Sequence, residues 1–268
     1  MFLKTPGTVP LYQFSSLEPY ADVVAHAVFT RAGGVSEAPF DSLNVRYGIG
    51  DSDTSVTRNR DIMQRFFEDR FLNGRRTVMI SANQTHSDHV FVLRDRDQLP
   101  DTPGAGTEID DVDAFVTDRS DVTLLMQTAD CQSVLLVDPQ AQVLGLVHNG
   151  WRGSLQNIVG KTVDAMRREF STDPAHIVCV VSPSIGPCCH YFTDPVSELP
   201  IEFHRYILED GCRVDFLTAT RDQLIERGVP VSGIEFSDVC TCDHADEFYS
   251  FRKDRSTGRF GMIAALKS

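Results

Sequence analysis

The sequence predicts an α+β protein with mixed β-sheets, folded as a single domain over residues 1–268. Three observations carry that reading. Short runs rich in β-branched and aromatic residues recur along the chain. Several other segments carry apolar residues at helical spacing. The two kinds do not alternate strictly, as they would around a wholly parallel sheet. No repeat, low-complexity tract or linker divides the chain.

Residues 23–29 (VVAHAVF) read as a buried strand, followed by the polar, glycine-containing loop TRAGGVSEAPFDSLN. Val56, Ile62, Met63, Phe66, Phe67 and Phe71 mark a helix over 54–71, with Asp53 or Thr54 as its cap. Six β-rich runs follow, at 77–80, 90–93, 112–117, 122–126, 133–137 and 143–148. The stretch 98–113 is acidic and turn-rich and reads as a surface loop. Leu155, Ile158, Val159, Val163, Met166 and Phe170 share one face of a helix over 155–170, with Ser154 as its cap. Next come a strand at 177–182, a Gly/Pro loop, and a helical stretch broken by Pro200. A strand near 214–217, a helix over 219–227 ended by Gly228, and strands near 246–251 and 259–266 complete the prediction.

Composition bounds the function. Lys and Arg number 25 against 38 Asp and Glu, a net charge of −13. A polyanion such as nucleic acid needs a basic face that this chain lacks, although a small anion needs only a local pocket. No run approaches the roughly 18 apolar residues of a membrane helix. The opening MFLKTPGTVPLYQF lacks the apolar stretch of a signal peptide, so a cytoplasmic protein is expected. The seven cysteines are odd in number and widely spread, which in a reducing compartment suits core residues, ligands or nucleophiles better than disulfides.

Three predicted strand ends hold the reactive residues. These are QTHSDH with His86 and His89, TADC with Asp130 and Cys131, and HNGWRGS with His148, Trp151 and Arg152. Each has a structural explanation when taken singly: a hydrogen-bonded histidine, a small core cysteine, a tryptophan anchor, an arginine paired with a carboxylate. Together, His86, Cys131 and His148 make a His₂Cys set. Three protein ligands leave a fourth tetrahedral position open, the pattern of a catalytic zinc, which lowers the pKa of bound water toward neutrality. A second group, Cys188, Cys189 and His190 with Cys240, Cys242 and His244, lacks the C-x₂-C spacing of readable zinc sites. Its cysteines are expected to be reduced and structural.

The segments HAVFTRAGGVS, DSLNV, QTHS, TADC, HNGWRG, SIGPCC and YSFRKDRSTGRF, in this order, resemble the YfiH-like family. That family is also called the laccase-domain, multicopper polyphenol oxidase or purine nucleoside phosphorylase family. The resemblance runs from about residue 25 to 264. It implies layered mixed sheets flanked by helices, like the catalytic domain of cytotoxic necrotizing factor. It also implies Zn2+ held by His86, Cys131 and His148. The implied activity is phosphorolysis of adenosine, inosine and methylthioadenosine, with adenosine deaminase activity alongside. The partners are then a small nucleoside and phosphate. Asn149, Ser182 and His190-Tyr191 depart from the family pattern and bear on substrate preference.

Within that expectation, Asp130 is the candidate proton shuttle for deamination, and Arg31 and Arg152, with the Gly33-Gly34 backbone, are the candidate phosphate clamp. Two other functions fit the residues. Cys131 with His86 or His148 can serve as nucleophile and base in an amide hydrolase, such as one editing a peptidoglycan precursor. Copper-dependent polyphenol oxidation fits poorly, because the eight histidines form no H-x-H pair. None of these motifs encodes an oligomeric state.

Overall fold

Strands that alternate between two sheets organise this chain. The computed structural model describes residues 2–95 and 107–267. In chain order these form β1 (Phe2–Thr5), β2 (Leu11–Phe14), β3 (Val24–Phe29), α1 (Asp53–Phe71), β4 (Val78–Asn83), β5 (Val90–Leu93), β6 (Thr107–Asp110), β7 (Ala114–Thr117), β8 (Val122–Thr128) and β9 (Gln132–Asp138). There follow β10 (Val143–Asn149), α2 (Trp151–Leu155), α3 (Ile158–Phe170), β11 (Val178–Val181), α4 (Pro195–Glu198), α5 (Phe216–Glu226), β12 (Ile234–Phe236) and β13 (Phe260–Leu266). One sheet has the order β1-β2-β3-β13-β8-β4-β6 and the other β12-β11-β9-β10-β7-β5. Both mix parallel and antiparallel pairs.

Side-chain alternation builds four layers. In β9, Leu135 and Val137 face the other sheet and meet Leu124, Met126 and Met262. Val134 and Leu136 face the opposite way, onto Val159, Val163 and Met166 of α3 and Leu224 of α5. On the far side, Met63 and Phe67 of α1 cover Ala27, Leu125 and Ile263. Strands β8, β9 and β10 are therefore buried at every residue, which is why they read as continuous apolar runs. The α+β class with layered mixed sheets flanked by helices is as expected.

Several elements differ from the sequence reading. The helix expected over 155–170 is two helices, separated by Asn157 in the left-handed region at φ 57°. The Asn157 side chain accepts from the Gly160 N–H at 3.1 Å and caps α3, while Ser154 lies inside α2. At the start of α1 the cap position is Ser52. The strand expected near 214–217 is the start of α5, where Asp215 accepts from the Leu217 and Thr218 N–H groups. Residues 246–251 form turns; Phe248 and Tyr249 plug the core, with Phe248 against Phe260 at 5.0 Å. Of the loop expected at 98–113, residues 107–110 pair with β4, and 96–106 lie outside the described residues.

This topology positions the site. Both β4 and β8 belong to the larger sheet, and the strand after each belongs to the smaller one. Residues 84–89 and 129–131 therefore cross from sheet to sheet, and β10 ends beside them. Gln84 laces the two crossings together: its Nε2 donates to the Gln127 carbonyl at 2.8 Å, and its Oε1 accepts from the Gln127 N–H at 3.1 Å.

One buried carboxylate fixes α1 against the entrance to β4. Glu68 is 2% exposed and accepts from the Thr77 N–H and Oγ1, from Gln64 and from Arg76 at 2.8–2.9 Å. Burial alone would raise its pKa, but these hydrogen bonds outweigh it and hold the carboxyl below its ordinary 4.5. Glu68→Ala is expected to cost ~3 kcal/mol in urea unfolding at pH 7, because it strands several donors. A depressed folded-state pKa stabilises above the unfolded value. The difference between wild type and Glu68→Gln should therefore shrink as pH falls below about 4.5.

Candidate metal centre and its pocket

His86, Cys131 and His148 converge at the crossing end of the sandwich, with their ligand atoms all within 4.8 Å of one another. His86 Nε2 lies 3.8 Å from Cys131 Sγ, and the two imidazole rings meet edge to face at 4.8 Å. His86 sits in the left-handed region at φ 63°, which turns its ring back toward Cys131. Gly150 makes room: a Cβ there would lie 2.8 Å from His86 Cδ2 and 3.0 Å from Cys131 Sγ. Two imidazoles and a thiolate suit a borderline-soft divalent cation such as zinc, and three ligands leave a position facing the pocket.

Asp113 orders this set, and no motif drew attention to it. It is 0% exposed and opposes the end of β10, whose His148 N–H donates to its carbonyl at 2.7 Å. Its carboxylate accepts from His148 Nδ1 at 2.7 Å, the Ser87 N–H at 2.7 Å, Ser87 Oγ at 2.8 Å and the His86 N–H at 3.2 Å. A carboxylate only accepts, so Nδ1 of His148 carries the proton and Nε2 is left for a ligand. The sequence signal was one acidic residue inside an apolar strand.

The electrostatics follow from these contacts. Burial alone would raise Asp113, but His148 and Ser87 hold it down at about 2. Burial alone would raise the Cys131 thiol, yet His148 and His86 bring it down to about 6. Burial would lower His148, and the Cys131 thiolate and Asp113 raise it to about 9 instead. Both directions favour charge on the pair, the thiol toward thiolate and the His148 ring toward its protonated form. By contrast the buried ring of His26 accepts from the Phe14 N–H at 2.8 Å, and burial pushes it down to about 4.

The triad opens into a cavity of about 500 Å³. Five arginines line it, Arg46, Arg152, Arg252, Arg255 and Arg259, and Asp130 is the single acid among the lining residues. Arg152 stacks on Trp151 at 4.4 Å, and Arg255 lies over Phe251 at 5.4 Å. Arg46 is held by the Ala82 carbonyl and Asn83, and Arg259 by the carbonyls of Thr257 and Gly258. The sequence reading missed all of these except Arg152, although three belong to the run YSFRKDRSTGRF.

Two expected site residues have other duties. Arg31 does not line the cavity: its guanidinium donates to the Asp41 and Ala245 carbonyls and stacks on Tyr249 at 4.7 Å. Gly34 is filled by backbone, with Ser42 O 2.2 Å from where a Cβ would stand. That loop is packed, not an anion cradle. Asp130 does line the cavity, but its two oxygens accept from Thr241 Oγ1 at 2.7 Å and the Arg252 N–H at 2.6 Å. It anchors the C-terminal wall of the pocket. Asn149 turns its amide away from the triad, donating to Gln132 and Thr220. Ser182 accepts from the Ser133 N–H at 2.9 Å. His190 lines the cavity against Phe192 and Phe216, and burial lowers it to about 4, so it is a neutral ring there.

Residues 25–267 match the family described as multi-copper polyphenol oxidoreductase laccase. The chain belongs to this family. Among its relatives, purine nucleoside phosphorylase YlmD of Geobacillus stearothermophilus is 33% identical over 258 residues, covering 92% of this chain and 91% of that protein. Purine nucleoside phosphorylase SCO2081 of Streptomyces coelicolor is 34% identical and covers 88% and 93%. The crystal structure of the Geobacillus YlmD superposes with a TM-score of 0.84 at 28% identity, over 100% of this chain and 99% of that one. Bacillus licheniformis YfiH gives 0.81 at 28% identity, over 96% of each chain. Among the described residues, no helix is long and apolar enough to cross a membrane.

Two substitutions test how the family fold builds this centre. Asp113→Ala frees His148 Nδ1 and strands the N–H groups of His86 and Ser87. Metal affinity, read by competition with a chromophoric chelator, should fall ~10–100-fold. Gly150→Ala should lower bound metal with little change in the unfolding midpoint, because the atoms nearest its Cβ are those of His86 and Cys131.

Proposed function

We propose that this protein is a zinc-dependent purine nucleoside phosphorylase acting on adenosine, inosine and methylthioadenosine, with adenosine deamination as a second activity. The observation that carries the proposal is the junction of a His₂Cys centre with an arginine-lined cavity on a protein of net charge −13. That cavity is in the range of ~300–1,000 Å³ typical of small-molecule sites. The names of the relatives, purine nucleoside phosphorylases, supply the class of reaction.

In phosphorolysis a phosphate oxygen bonds to the ribose C1′ as the bond from C1′ to the base nitrogen breaks. The protein's task is to hold a dianion beside the sugar and to steady the departing base. Arg152 and Arg255 suit the first role, since among the described residues no protein acceptor engages either guanidinium. His190, Phe216 and Trp151 offer a largely apolar wall for a purine, and Gln84, Gln127 and Gln132 line the cavity with amides. Zinc at His86, Cys131 and His148 would supply Lewis acidity and a lowered pKa for water, which deamination requires. His148 is oriented for this by Asp113, and Cys131 is already inclined to the thiolate. Copper oxidation is the weaker reading of the same residues, since among the described residues no second group of histidines that could hold a further metal is found.

The approach of Cys131 Sγ to His86 Nε2 at 3.8 Å, with the thiol's pKa lowered and that of His148 raised, favours a second reading, amide hydrolysis with Cys131 as nucleophile. Product analysis separates the two. Zinc-loaded protein given adenosine and phosphate should release adenine, ribose 1-phosphate and inosine. Arg152→Ala should raise the phosphate KM ~10–100-fold, the loss of one charge-assisted contact, and leave deamination near wild type. His148→Ala should abolish deamination. Release of serine from a muramyl-serine precursor, with no ribose 1-phosphate from any nucleoside, would establish the hydrolase instead.

A further inference from the structure

Away from the cavity, Cys188, Cys189, Cys240 and Asp243 bring three sulfurs and a carboxylate within 4.8 Å of one another. None of the four lines the pocket. We propose that they form a second metal site, a closed structural zinc site that staples the 186–190 turn to the 240–244 turn. This goes beyond the reaction proposed above and does not depend on it.

Backbone hydrogen bonds, rather than attraction among the thiols, bring the four together. The Ser184 N–H donates to the Val239 carbonyl at 3.3 Å, and the Thr241 N–H to the Ser184 carbonyl at 3.0 Å. This short parallel bridge sets Cys240 beside the Gly/Pro loop. The N–H groups of Cys189 and His190 both donate to the Gly186 carbonyl, at 3.0 and 3.1 Å, and coil that turn. The His244 N–H closes the other turn on the Cys240 carbonyl at 3.0 Å. Each half is thus formed before any ion is considered.

The donor atoms point inward. Cys188 Sγ lies 3.1 Å from one Asp243 oxygen and Cys189 Sγ 3.3 Å from the other. Adjacent cysteines seldom serve one metal, and here the coiled turn is what lets both reach a single carboxylate. The Gly186 N–H donates to Cys240 Sγ at 3.3 Å, a contact that supports a thiolate. Gly186 also leaves space for the sulfurs: a Cβ there would stand 3.2 Å from Cys188 Sγ.

Size and softness select the ion. A Zn–S bond of ~2.3 Å gives a tetrahedral edge of ~3.8 Å, so the separations close by ~1 Å at most. Three thiolates and one carboxylate favour zinc over magnesium or calcium. Four protein ligands fill the tetrahedron and leave no place for substrate, which makes the site structural. Its position gives the staple a purpose. Ile185 and His190 line the cavity beside one half, and Thr241 in the other half donates to Asp130, which holds Arg252.

The test is zinc stoichiometry of the full chain, reconstituted with zinc and desalted. Wild type should hold about two zinc ions, with His148→Ala and Cys189→Ser/Cys240→Ser each holding about one. Should the double cysteine variant fail to fold, Asp243→Asn serves, and its second zinc should be lost ~10-fold faster to a competing chelator. Cys188, Cys189 and Cys240 should resist alkylation in zinc-loaded protein and react once zinc is removed. One zinc per wild-type chain, with these cysteines alkylated equally in both states, would overturn the proposal. So would a disulfide among them in the zinc-loaded protein.

Discussion

Burying the Asp113 carboxylate at 0% exposure carries a desolvation cost of several kcal/mol, and the functional end of the molecule is arranged around meeting it. The donors that do so belong to segments that must be aligned for chemistry. His148 comes from the end of β10, and His86 and Ser87 come from the crossing between β4 and β5. The charge that is expensive to bury thereby sets the tautomer of His148 and the backbone of His86. Cys131 completes the centre without touching Asp113. It depends on the neighbouring crossing, which the Gln84–Gln127 pair holds in register.

The same end of the molecule reverses the global charge. A chain of net charge −13 places five arginines and one aspartate around its cavity. An anion entering there meets guanidinium groups at short range, where a low-dielectric wall strengthens the attraction. Several of these arginines are themselves tied down by backbone carbonyls, so the positive field is largely preorganised and does not wait for the ligand. Arg152 and Arg255 keep their donors available, and the aromatic rings beneath them supply the positioning that protein acceptors would otherwise give.

What could be read from the sequence follows from how local each signal was. The strands β8, β9 and β10 were legible because each is buried on both faces and so forms an uninterrupted apolar run. The convergence of His86, Cys131 and His148 was legible because each sits at a strand end beside glycine or a polar turn. Asp113 was not, because its role comes from β10 lying antiparallel to β7, a pairing distant in sequence. Arg31 looked suited to an anion for its glycine-rich neighbourhood, yet the loop folds back and spends its guanidinium on carbonyls. The break at Asn157 was hidden because the apolar positions on either side stay in phase. At 246–251 the aromatic cluster of Phe248, Tyr249 and Phe251 imitated a strand, whereas Phe248 and Tyr249 plug the core from turns.

The crossings explain why reactive residues gather at this end and not at the other. A strand that leaves one sheet for the other must expose backbone groups that neither ladder can pair. In this chain those groups are satisfied by Asp113, Gln84 and Asp130, the last accepting through its carbonyl from the Ile185 N–H at 2.8 Å. Polar side chains are thus required there for folding alone, in a place where both sheets already exclude water from two sides. A buried polar network next to an open cavity is a place where a metal could be held: Cys131, His86 and His148 converge there, and the carboxylate that satisfies backbone donors also orients the His148 ring. Gly150 supplies the remaining condition, since its missing side chain is what lets His86 and Cys131 close upon the same point.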